Sequence, residues 1–134
     1  MTVSNIIHCE KGWKKLYIPI VEMVFKHDDR YQDPTKKIGI KEIKEVDGAL
    51  VIEVVNENNL TSEIRDEILI REHDSLNVCE FCGTENDVGT TMNNDYKTCC
   101  KECWEDIILV TNPNSIWKEY STNKFYQKTQ DNGK

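Results

Sequence analysis

Cys79 and Cys82, then Cys100 and Cys103, form two C-x-x-C pairs with 17 residues between them. Thiolate sulfur is a preferred ligand of zinc, and four ligands in a tetrahedron complete a structural site. Within Val78-Cys79-Glu80-Phe81-Cys82-Gly83 a tight turn aims both sulfurs at one point, and Gly83 eases the exit of the chain. Cys100 and Cys103 sit where KECWEDIILV opens a helix, and residues three apart share a helix face. The expected chemistry is one structural Zn2+ ion held by four cysteines. A catalytic zinc keeps an open position beside three protein ligands, and four thiolates leave none. The ligand set has an alternative. Cys99 competes with Cys100, although C-x3-C fits a knuckle-and-helix arrangement less well. If Cys100 is the ligand, Cys99 turns toward the core as a small apolar group. His8 and Cys9 are outlying candidates.

The histidines promise little further chemistry. An HNH-type nuclease carries a general-base histidine in the hairpin between its ligand pairs, and residues 83–99 contain none. His8, His27 and His73 all lie upstream. His73-Asp74 is an isolated HD dipeptide, and a histidine near a helix end suits the dipole there. No catalytic residue is expected, and the chain reads as a non-enzyme.

The charge pattern points to a partner. Of 134 residues with a net charge of −7, the stretch 78–110 holds seven acids against two bases. A phosphate-binding surface needs the opposite sign. Glu80, Glu85, Asp87, Asp95, Glu102, Glu105 and Asp106 are therefore candidates for a face that meets a protein with a basic surface, with an ordinary solvated surface as the alternative. Trp117, the least constrained tryptophan by sequence, joins them as a candidate contact. Trp104 follows a ligand and is expected to cover the metal; Trp13 is expected between the first helix and the sheet. Nucleic-acid binding is the second reading. It rests on Lys97 and Lys101 and on a tail with Lys118, Lys124, Lys128, Lys134 and interleaved aromatics. No apolar run approaches the ~20 residues of a membrane span. No basic region precedes an apolar stretch at the start, so a cytoplasmic protein is expected. In that setting paired C-x-x-C motifs read as metal ligands, not disulfides.

The elements that position these residues follow from local pattern. Pro19 can open a helix over 19–28, with Ile20, Met23, Val24 and His27 at helical spacing. Residues 38–46 and 49–55 are rich in β-branched side chains around Asp47-Gly48, a hairpin signature. Leu50, Ile52 and Val54 alternate onto one face. Ile43 and Val46 are out of phase with Ile38 and Ile40, which predicts a bulge near Glu42. Thr61 or Ser62 caps a second helix to about Leu76, with Ile64, Ile68 and Leu69 on its inner side. Asn93-Asn94 marks a turn between the ligand pairs. The expected fold is α+β: helix, β-hairpin, helix, then a treble-clef zinc finger (78–110) on the same core. Residues 1–110 form one domain, and 111–134 a polar extension with a disordered end.

Several of these features recur together. Cys9-Glu10-Lys11-Gly12-Trp13, Ile43-Lys44-Glu45 with Gly48, Leu50 and Ile52, Val78-Cys79-Glu80-Phe81-Cys82-Gly83 and Thr98-Cys99-Cys100-Lys101-Glu102-Cys103 resemble a family of small bacterial and phage proteins with a C-terminal treble-clef-like zinc finger. The resemblance covers roughly residues 9–105. It implies the finger fold and Cys100 as third ligand, and it implies no activity. The chain departs from that pattern at Cys103, where the family has histidine, and near Asp47, where an aromatic is usual.

Overall fold

The computed structural model describes residues 3–92 and 96–128. Its architecture is mixed α+β, with two sheets and a cluster of four cysteines. The first sheet has the order β1 (Ile7–His8), β2 (Ile40–Val46), β3 (Ala49–Val54). β1 runs parallel to β2 and β3 antiparallel to it. α1 (Lys14–Asp28) and α2 (Ser62–Asp74) pack on this sheet. The second sheet has the order β5 (Thr98–Cys100), β4 (Val88–Thr91), β6 (Ile116–Glu119), β7 (Phe125–Gln127), all antiparallel neighbours. Between β5 and β6 runs a helical stretch in three parts: α3 (Lys101–Cys103), a π turn (Trp104–Ile108) and α4 (Leu109–Thr111).

The β2–β3 hairpin forms as its sequence predicts. Asp47 and Gly48 take φ of 51° and 86°, the positive values a two-residue hairpin turn demands. Ile40 faces Val54 while Glu42 faces Glu53, so two residues of β2 oppose one of β3. The expected bulge therefore lies at this point. Leu50 and Ile52 enter the core with Ile43.

Three expectations need correction. α1 starts at Lys14, five residues earlier than Pro19, which lies inside the helix. An internal proline costs about 3 kcal/mol. Leu16, Tyr17 and Ile20 are all buried by this helix, at roughly 1.5–3 kcal/mol per large apolar side chain, and outweigh it. In α2, Ile64 and Ile68 are buried but Leu69 is exposed. The inner stripe continues instead through Glu72 and Ser75, which accept the Ile52 and Leu50 N–H groups at 2.8 and 2.9 Å. The helix thus covers the outer edge of β3 with acceptors, a way of blunting an edge strand. Finally, residues 116–127 are not a polar extension: β6 and β7 add two strands to the sheet that carries Cys100. The disordered end expected after them falls on residues outside those described.

Asp28 closes α1 onto β2. Its carboxylate accepts the Ile38 and Gly39 N–H groups at 2.7 and 2.9 Å and meets the His27 ring at 2.8 Å. Burial alone raises this carboxyl; the two N–H groups and His27 outweigh it and hold it below the usual carboxylate range. Because the folded state depresses the pKa, the stabilisation is full above the ordinary aspartate value of about 3.9 and is lost as pH falls through the folded value. Asp28→Asn should lower stability at neutral pH by about 1–3 kcal/mol and flatten the acid limb of a pH–stability profile measured by urea unfolding. An unchanged acid limb would remove Asp28 from this role.

Candidate metal centre

The chain builds this site from a turn and a helix start. Cys79 accepts the Gly83 N–H at its carbonyl (2.9 Å) and the Cys82 N–H at its Sγ (3.5 Å). This folds the first pair into a knuckle. Glu80 N–H then reaches the Thr98 carbonyl at 3.0 Å, which fixes the knuckle to β5. Cys100 caps the following helical stretch, its Sγ accepting the Cys103 N–H at 3.4 Å. Knuckle and cap converge. One sulfur from each of Cys79, Cys82, Cys100 and Cys103 lies within 4.8 Å of the others, and the Cys82 and Cys100 sulfurs are 3.7 Å apart. These four could hold one metal ion. Cys82 is exposed and the other three are buried.

Cys99 is fully buried and lies outside this cluster. Strand alternation turns it to the opposite face of β5, where it packs with Trp104 and Trp117. Cys99→Ser should keep a full equivalent of metal by elemental analysis and lose about 1–2 kcal/mol for the buried hydroxyl. Loss of the metal there would move the ligand role from Cys100. Cys9 is half-buried and His8 pairs with Glu42 at 3.8 Å; among the described residues neither joins the four sulfurs.

The electrostatics oppose ionisation of the clustered sulfurs in the absence of a cation. Burial raises the Cys103 thiol, and its neighbours Cys100, Cys79 and Cys82 raise it further. Burial raises Cys100 to about 11. Cys79 is held low: burial raises it, but the N–H groups of Cys82, Cys100 and Phe81 outweigh that. Four sulfurs this close become four thiolates together only around positive charge.

The surroundings revise the proposed partner face. Glu80 is 1% exposed and Trp117 0% exposed, so neither lies on a surface. Glu80 points inward from the knuckle to the N-terminal segment, where its Oε2 accepts the Glu10 N–H at 3.1 Å. Burial raises its carboxyl. Trp117 stacks on Trp104 at 6.0 Å and meets Tyr126 at 5.5 Å, and its Nε1 donates to the Cys99 carbonyl at 2.9 Å. Trp104 is buried beside the cysteines. Glu85, Asp87, Glu102, Glu105 and Asp106 are exposed. Asp95 falls outside the described residues, as does the Asn93-Asn94 turn.

The segment Cys9–Trp13 carries a role that spacing did not reveal. Gly12 N–H donates to the Glu80 carbonyl at 2.6 Å, Trp13 Nε1 to the Val78 carbonyl at 2.8 Å, and Lys15 Nζ to the Gly83 carbonyl at 2.6 Å. The start of α1 therefore clasps the knuckle. The signal was a glycine beside a tryptophan just ahead of a helix, but it does not name its distant partner. None of the three histidines joins the four clustered cysteines: His27 serves Asp28, His73 is exposed and His8 faces Glu42.

No family model, no curated protein and no solved structure matches this chain. No described helix is long and apolar enough to cross a membrane.

Proposed function

We propose that the four cysteines hold one structural zinc ion in a treble-clef finger. On this reading the chain is a non-catalytic, acidic protein-binding module that inhibits a bacterial effector with a basic surface, as toxin immunity and phage anti-defence proteins do. The metal assignment draws on geometry. Zinc–sulfur bonds of about 2.3 Å in a tetrahedron place sulfurs about 3.75 Å apart, close to the 3.7 Å between Cys82 and Cys100. A knuckle, a hairpin and a helix-capping cysteine are the parts of a treble clef, and the resemblance noted in the sequence favours the same fold. Four thiolates fill the coordination sphere, which argues for a metal that holds the fold and takes no substrate.

The observation that carries the functional reading is the exposed acidic set around this closed site: Glu85, Asp87, Glu102, Glu105 and Asp106. Basic clefts of nucleases and similar effectors attract such a surface and are blocked by it. Affinity capture from the source cell, followed by mass spectrometry, should recover a protein partner with a basic surface. Recovery of none, at low as well as physiological salt, would count against the module. Nucleic-acid binding stays as the second reading, because Lys118, Lys124 and Lys128 lie on the β6–β7 hairpin near the exposed Phe125. A low-salt gel shift with unrelated DNA and RNA decides for it if both are retarded.

A further inference from the structure

From the buried pair Cys103 and Trp104, a 3.6-residue period returns Ile107 to the inner face of the helix. The π turn prevents this. Leu109 N–H reaches back five residues to the Trp104 carbonyl, one more than α geometry allows. The positions against the cysteine cluster go to Ile108 and Leu109 instead. Ile107 is left 41% exposed and Val110 72% exposed. π turns are rare and recur at functional sites. This one turns two β-branched apolar side chains outward in the most acidic part of the sequence. Glu102, Glu105 and Asp106 share the helical stretch, and all are exposed. Asp87 borders it, its carbonyl accepting the Lys101 N–H at 3.1 Å. Among the described residues none of these four acids forms an ion pair.

We propose that Ile107 and Val110 form the apolar centre of a docking surface with an acidic rim. Its occupant is a protein surface with an apolar socket ringed by lysine or arginine. This rests on the reading of the chain as an acidic protein-binding module, and it replaces the buried Trp117 as the apolar contact. Charge selects the occupant. Nucleic acid and anionic membrane both meet the rim with like charge. A second copy docked by a two-fold axis sets acid against acid. A basic-rimmed protein pairs with the rim, while Ile107 and Val110 fill its socket, the usual division between steering charges and a dry centre.

The test uses the full-length, metal-loaded chain in its source cell. A photo-crosslinking benzoylphenylalanine replaces Val110, and affinity capture compares Val110→Lys, Ile107→Lys and Leu69→Lys. Leu69 is an exposed apolar control on α2. The expected result is a protein adduct at position 110 and a loss of capture of about tenfold or more in both Val110→Lys and Ile107→Lys. Leu69→Lys should capture normally, and metal content and circular dichroism should match the parent in every variant. A protein captured equally well by Val110→Lys and Ile107→Lys overturns this docking surface and leaves the protein-binding reading standing. Capture of no protein at any salt overturns both. An adduct to RNA or to a second copy of the chain gives the face a different occupant and overturns the proposal.

Discussion

Cys79→Ala should leave the protein largely insoluble or unable to hold metal. Cys79 is fully buried, and its sulfur already accepts the Cys82 N–H. Its thiol is held below the ordinary range by the N–H groups of Cys82, Cys100 and Phe81, against the opposing effect of burial. Structural zinc contributes on the order of 10 kcal/mol in small fingers, and a domain of this size has a net stability of about 5–15 kcal/mol. If the four cysteines hold zinc as proposed, losing it removes most or all of that margin. The second sheet suffers first, because Cys99, Cys100, Cys103, Trp104 and Trp117 share one cluster with Cys79. Soluble yield, zinc per chain by elemental analysis and circular dichroism measure the outcome. A soluble Cys79→Ala protein with a full equivalent of zinc would strike Cys79 from the ligands.

What could be read from the sequence was what neighbours in sequence decide. The Asp47-Gly48 turn, the bulge beside Glu42 and the Thr61 cap depend on a few adjacent residues, and each appears where expected. Each cysteine pair was legible because the knuckle and the helix cap are themselves local. What was not legible depends on distant partners. Glu80 counts as one more acid in a charge tally, yet its side chain is buried against Glu10, seventy residues away. Leu69 fits the helical stripe, but the edge of β3 draws Glu72 and Ser75 to the inner side. Trp117 sits in a stretch that is polar apart from Ile116 and Tyr120, and its stacking on Trp104 and Tyr126 exists once β6 joins β4. Short strands such as β6 and β7 owe their state to such packing more than to intrinsic preference.

Gly12→Ala should be strongly damaging although it touches no ligand side chain. Gly12 is buried against the knuckle, and an added Cβ would stand 2.3 Å from both the Cys79 and Glu80 carbonyl oxygens. Those atoms are backbone, and they belong to a ligand and its neighbour, so no side-chain rotation relieves the clash. Either the knuckle shifts and spoils the convergence of the sulfurs, or α1 lifts away. Lifting α1 breaks the Gly12 bond to Glu80, the Trp13 bond to Val78 and the Lys15 bond to Gly83 together. It also uncovers Trp13, Leu16 and Tyr17, all buried in the first core. Overpacking usually costs 1–3 kcal/mol; a rigid backbone clash joined to a shared clasp places the expected loss at about 3 kcal/mol or more. The two halves should fail together. Urea unfolding of Gly12→Ala should show a lower midpoint with Trp fluorescence and far-ultraviolet dichroism still coincident, and zinc should be released to a chelator earlier than from the parent. Parental stability with unchanged zinc retention would mean that the clasp does not couple α1 to the metal centre. A loss of stability with zinc fully retained would place the damage in the first core alone.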